Sequence, residues 1–234
     1  LPAAFPGDLL SCTLPLLAGS HPDCCVFAPE HFLSTMVECA SETRPPPSLP
    51  LHMAAELEHK SFFSSADRPS VAQLYETFLD NVAPNQTWLG LSGLGWGAEE
   101  ATVLAAALPR FERLVELNLN RNQIGNEGCN ALSEALRVHG SITVLEMTNN
   151  LIGDEGAMSI AVALSENTSK ISTLDLVENC ISDEGAKALA TLCAASKSLT
   201  FLNISNNELS YEGKCALEDF ESGFELVLSG GSRF

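Results

Sequence analysis

The chain has 234 residues, with 12 basic and 30 acidic side chains, a formal charge of −18 and 45% hydrophobic residues. That length can bury the core of one or two domains, the hydrophobic content excludes a fully disordered acidic chain, and a surface of this sign repels phosphate, so no nucleic-acid partner is expected. No apolar run approaches the ~20 residues of a membrane-spanning helix, so a soluble protein with no transmembrane segment is expected, its neighbour in a membrane complex being left open.

The sequence opens at Leu1 without a charged and apolar leader. The compartment is therefore left open between the cytoplasm and an organelle entered after removal of a targeting sequence. Residues 1–69 read as a proline-rich arm and linker. Nine of the twelve prolines fall in the first fifty residues, Pro45-Pro46-Pro47 among them, and proline opposes compact folding. Short amphipathic helices are predicted over 29–40, with Phe32, Leu33, Met36 and Val37, and over 51–60. An arm without a core of its own most simply lies against the rest of the chain or a neighbouring subunit.

Four of the eight cysteines, Cys12, Cys24, Cys25 and Cys39, fall in this arm. With His21, Asp23 and His31 they carry ligand chemistry for zinc, but paired C-x-x-C knuckles are missing and adjacent cysteines rarely hold one tetrahedral ion. No metal is expected, and the four cysteines are left as a disulfide cluster or free thiols. A third helix over 70–83, with Val71, Leu74, Tyr75 and Phe78 on one face, is expected to cap the core of the segment that begins at residue 84.

From there the chain repeats. Leu114-x-x-Leu117-x-Leu119-x-x-Asn122-x-Ile124 recurs as Ile142-x-x-Leu145-x-Met147-x-x-Asn150-x-Ile152, as Ile171-x-x-Leu174-x-Leu176-x-x-Asn179-x-Ile181 and as Leu199-x-x-Leu202-x-Ile204-x-x-Asn207-x-Leu209. The second anchors, Leu117, Leu145, Leu174 and Leu202, give periods of 28, 29 and 28 residues. Each copy continues with Gly128, Gly156, Gly185 or Gly213 and a helix-period apolar stripe. A degenerate copy precedes them, with Leu89, Leu91, Leu94 and Trp96.

These residues resemble the leucine-rich repeat of the long, ribonuclease-inhibitor-like type. The resemblance covers about residues 84–222 and implies a short right-handed α/β horseshoe of about five repeats, with helices outside. Its positions have physical reasons. Period 2 sends Leu117 and Leu119 inward and Asn118 and Asn120 outward. Asn122, Asn150, Asn179 and Asn207 follow the strands, where an amide that both donates and accepts can satisfy bending backbone as a stacked ladder. Asp154-Glu155 and Asp183-Glu184 precede the glycines, where a helix N-terminus favours negative charge. The glycine is expected to let the helix start close to the strands, and the stripe Gly185, Ala188, Leu189, Leu192, Cys193 to face the sheet. Residues 223–234 read as a C-terminal cap and tail, with a last strand in 224–228.

Family resemblance makes the outward strand positions, the concave face, the partner surface. They read Trp88, Glu116, Val144, Thr173, Phe201, then, two residues on, Gly90, Asn118, Glu146, Asp175, Asn203, and two further on Ser92, Asn120, Thr148, Val177, Ser205. Two exposed aromatics around Glu146 and Asp175 would suit a basic or amphipathic protein partner. Three N-x-[ST] triplets, at Asn85, Asn167 and Asn203, are assigned to chance. No P-loop, G-x-S-x-G or H-E-x-x-H occurs, so no catalytic residue and no cofactor is expected. The reading is a non-catalytic interaction module, an accessory or scaffolding subunit of a larger assembly whose arm docks on a neighbour. Two alternatives stand beside it: a regulator of a small GTPase like the Ran GTPase-activating family, and a tropomodulin-like actin-binding protein.

Overall fold

The computed structural model describes residues 76, 77, 79–165, 169–218 and 225–228. The arm 1–69, with its expected helices and Cys12, Cys24, Cys25 and Cys39, lies outside the described residues, as do residues 70–75 of the expected cap. Residues 76, 77 and 79–81 are helical and lead into a 3-10 turn, Ala83–Asn85. Leu79 and Ala83 of this segment are fully buried against the core.

Strands and helices then alternate: β1 (Trp88–Gly90), α1 (Ala98–Ala107), β2 (Glu116–Asn118), α2 (Gly125–Val138), β3 (Val144–Glu146), α3 (Asp154–Ser165), β4 (Thr173–Asp175), α4 (Asp183–Ala195), β5 (Phe201–Asn203), α5 (Tyr211–Glu218) and β6 (Glu225–Val227). The strands form one parallel sheet in sequential order, and the helices stack beside one another in the same order. This is an α/β solenoid. Its sixth strand comes from the 224–228 segment and pairs with β5 through Leu202 and Leu226.

Register follows the leucines. Leu89, Leu117, Leu145, Leu174 and Leu202 sit side by side, the last four with no exposed surface. Burying one such side chain stabilises by about 1.5–3 kcal/mol. A three-residue strand carries one of them, so the ridge exists only when neighbouring turns are stacked.

The asparagines tie those turns together. Asn179 donates from Nδ2 to the carbonyls of Met147 and Leu176, both at 3.0 Å, while its Oδ1 accepts from the N–H groups of Asn150 (2.9 Å) and Ile152 (3.0 Å). Asn122 does the same for Leu91, Leu119, Leu94 and Trp96. Asn207 bonds Leu176, Ile204 and Ile181. Asn150 breaks the pattern: its amide donates to Leu119, but its buried Oδ1 has no partner. The preceding turn differs there, because Gly125 takes a left-handed φ of 61° and gives its N–H to the Asn150 backbone carbonyl. The residue before each ladder position is left-handed as well, at Gly93, Arg121, Asn149, Glu178 and Asn206. A non-glycine residue there costs about 1–2 kcal/mol.

Two helix expectations need correction, and a third, the acidic residues in the first turns of α3 and α4, holds but is incomplete. The glycines do not serve approach to the strands. A Cβ at Gly156 would meet Ile152 Cγ2 at 2.8 Å, Asn126 Oδ1 at 2.9 Å and Cys129 Cβ at 3.3 Å, so the space it spares belongs to its own isoleucine and to the preceding helix. The acidic residues do more than complement their own helix dipole. Asp154 Oδ1 accepts from the N–H groups of Ser182 (2.7 Å) and Gly185 (2.9 Å), and Oδ2 from the Ser182 hydroxyl (2.6 Å). Asn126 caps Gly153 and Gly156 in the same way, and Asp183 caps Ser210. The starts of α2, α3 and α4 thus each cap the helix that follows. The facing residue matches the cap: glycine opposite the amide, serine opposite each carboxylate that has a second oxygen to offer.

Finally, α4 buries Gly185, Ala186, Leu189, Ala190 and Leu192, whereas Ala188 and Cys193 are only half-buried. A helix flanked on both sides hides its lateral alanines as well as its sheet-facing stripe.

Candidate functional site

Because strand side chains alternate, residues flanking each buried leucine project onto one concave surface. Pairing brings Trp88, Glu116, Val144, Thr173 and Phe201 into one row, with Glu225 of β6 beyond Phe201. The second row runs Gly90, Asn118, Glu146, Asp175, Asn203 and Val227. Among the described residues no strand carries a lysine or arginine.

At one end the Trp88 indole lies over Gly90. A Cβ at 90 would overlap the ring's Cη2 and Cζ2, so glycine makes room for the ring. The indole is held there by its Nε1–H, which donates to Glu116 Oε1 at 3.0 Å. Trp88 keeps 41% of its surface exposed. Phe201, expected to be equally open, is half-buried, since the sixth strand places Glu225 alongside it.

The centre is a network of amides and carboxylates. Glu146 Oε2 accepts from Asn118 Nδ2 at 2.6 Å and Asn120 Nδ2 at 3.0 Å. Asn120 Oδ1 accepts from the Thr148 N–H at 2.7 Å, and the Thr148 hydroxyl donates to Asp175 Oδ1 at 3.0 Å. Asn203 turns inward on its own strand, its Oδ1 accepting from the Ser205 N–H and hydroxyl.

Burial holds the Glu146 carboxyl above its ordinary range. The charges of Glu116 and Asp175 add to the rise, which the Asn120 and Asn118 hydrogen bonds only partly oppose. Like charges are crowded here, and none of the described strands sets a lysine or arginine beside them. Val144 and Thr173 form a half-buried strip between Glu116 and Phe201. Asn120 and Thr148, which lie just past the strands, complete the network. Their outward parity was the available signal, but the bonds that recruit them depend on which neighbour the stack supplies.

Among the described residues no group of His, Cys, Asp or Glu side chains has the arrangement to hold a metal ion. Cys129, Cys180, Cys193 and Cys215 are free. Burial pushes the Cys129 thiol up to about 12 and the Cys193 thiol up to about 11, which keeps both protonated and unreactive.

The family model for the Leucine Rich repeat matches residues 114–133, 141–161, 169–190 and 195–213. These are leucine-rich repeats. Leucine-rich repeats are protein-interaction modules, and among the described residues no helix is long and apolar enough to cross a membrane. No curated protein matches the chain. Among solved structures, "Leiomodin-1 Actin-Binding Site 2 (ABS2)" is similar at 19% identity, over 58% of this chain and 78% of that one, with a TM-score of 0.47.

Proposed function

We propose that this protein is a non-catalytic interaction subunit of a larger assembly, whose leucine-rich repeats receive a basic segment of a partner protein on the concave face. One observation carries the reading: Glu146 is partly desolvated between Glu116 and Asp175 on a sheet whose described strands contain no basic residue. A lysine or arginine laid between these carboxylates would relieve the repulsion. Trp88, fixed over Gly90 and half open, offers the ring face against which a guanidinium packs. Val144, Thr173 and Phe201 supply a less polar strip for its aliphatic stem. In this reading the proline-rich residues 1–69 form a second contact with the same or a neighbouring subunit.

Crosslinking mass spectrometry in the native source, with a carboxylate-to-amine reagent, tests this. Links are expected from Glu116, Glu146 or Asp175 to lysines of one partner, and they should disappear together with co-purification in the variant E146K/D175K. A stable monomer without a partner, or a partner retained by that variant, overturns the proposal. Stimulated GTP hydrolysis or altered actin elongation by the isolated protein would put one of the alternative classes in its place.

A further inference from the structure

The repeat makes each concave position comparable with its equivalents, and β1 departs from them at two places. In the row of Gly90 every other strand carries a side chain: Asn118, Glu146, Asp175, Asn203 and Val227. Gly90 does not have the left-handed φ of Gly93, Gly95 and Gly125, so its backbone has no need of glycine, and glycine weakens a strand. What requires it is the ring laid over it, since a Cβ there would overlap Trp88 Cη2 and Cζ2.

The stack does not require that ring. Its equivalents are Glu116, Val144, Thr173, Phe201 and Glu225, side chains of every size and polarity. Trp88 stays 41% exposed, yet it is fixed twice: by Gly90 beneath it and by the bond from Nε1–H to Glu116 Oε1 at its edge. Among the described residues nothing donates to the other oxygen of that carboxylate, Oε2. An aromatic face is thus held in place beside a carboxylate oxygen with room for a donor.

The two basic side chains differ in how they suit such a place. A lysine ammonium is strongly hydrated and has three donors to satisfy. Glu116 Oε2 offers it one acceptor, and Glu146 Oε2 on the next strand already takes two amides. A guanidinium is planar and weakly hydrated, so it stacks on the indole while its in-plane N–H groups reach an oxygen at the ring edge. A nucleobase would stack as well, but its phosphate would face Glu116, Glu146 and Asp175.

We propose that Trp88, Gly90 and Glu116 form an arginine subsite, through which the concave face selects arginine over lysine in the segment it receives. Trp88 supplies the stacking face and Glu116 Oε2 accepts from the guanidinium. Gly90 is a positioning residue, acting only by letting the ring lie where it does. The subsite belongs to the concave-face reading proposed above and depends on it; what it adds is the identity of the side chain bound at the β1 end.

The test uses the full chain and two labelled peptides of about ten residues, glycine and serine with either two arginines or two lysines. Binding is read by fluorescence anisotropy and by the indole N–H resonance of Trp88, assigned by its loss in W88L. The arginine peptide should bind about fivefold tighter than the lysine peptide and shift that resonance. The variant G90N installs the residue that β2 and β5 carry at the same place, Asn118 and Asn203, and leaves the charge unchanged. In G90N and in W88L the two peptides should bind alike, with the affinity for the lysine peptide as in the unchanged chain. Equal binding of the peptides to the unchanged chain, an arginine preference that survives G90N, or one without a shift of the Trp88 resonance overturns the subsite and leaves the concave-face reading intact. Failure of both peptides to bind removes that reading, and the subsite with it.

Discussion

The bonds that cap one helix from the start of the preceding one can be tested at Asp154. Replacing it by alanine removes three hydrogen bonds to α4, from Ser182 N, Ser182 Oγ and Gly185 N. Bonds to a charged group contribute about 1.5–3 kcal/mol when fully desolvated, and deleting a helix cap costs about 0.5–2 kcal/mol. The site is half-buried, so water can take up part of what is freed, and Asp154→Ala should cost about 2 kcal/mol.

Gly185 supplies the control. A Cβ there would meet both Asp154 Oδ1 and Ile181 Cγ2 at 2.6 Å, and overpacking of this kind costs about 1–3 kcal/mol. Removing the carboxylate clears one of the two obstacles. Gly185→Ala should therefore cost less by about 1 kcal/mol in the Asp154→Ala background than in the unchanged chain. Urea unfolding of the four proteins, followed by circular dichroism, closes this cycle. A shift below about 0.5 kcal/mol for Asp154→Ala, or an equal cost of Gly185→Ala in both backgrounds, would refute the idea that adjacent helices are fastened through this carboxylate.

Asn179→Ala should destabilise by about 3–5 kcal/mol, since it orphans buried N–H and carbonyl groups in two neighbouring turns. Asn150→Ala should cost visibly less, because its Oδ1 serves no donor; equal urea midpoints would contradict this ranking. The pH dependence has a sign. At Asp154 burial raises the carboxyl, but the Ser182 and Gly185 hydrogen bonds outweigh it and hold the group below its ordinary 3.8; the Ser210 bonds do the same for Asp183. Their contribution is full above 3.8 and lost as pH falls through the lower folded-state value, so Asp154→Asn should lessen acid sensitivity in that window. A parallel acid-unfolding curve would count against it. Glu146 has the opposite sign, its folded-state carboxyl being raised. Glu146→Gln should leave the unfolding free energy at pH 7, measured in urea, equal or higher by about 0.5 kcal/mol, with the gain vanishing below the ordinary carboxylate range. A clear loss at pH 7 would mean that the carboxylate serves the fold and not a partner.

The candidate surface was legible only in part. Which strand residues face outward follows from alternation, so Glu116, Asn118, Glu146 and Asp175 could be placed by counting. The Trp88–Glu116 bond and the recruitment of Asn120 and Thr148 could not, because they depend on side chains 26 to 28 residues away meeting across the stack. The openness of Phe201 was misjudged because it depends on a neighbouring strand that does not share the repeat signature.

The spacing of leucines and asparagines determined the repeat, the parallel sheet and the inward face, because every turn must bury the same ridge and satisfy the same bend. Tertiary structure alone decided what passes between turns: the caps from Asp154 and Asp183 to the next helix, the idle oxygen of Asn150, and the crowding of charge around Glu146. A repeat specifies its own interior by period, but contacts between repeats depend on distances across the stack, which no one copy contains.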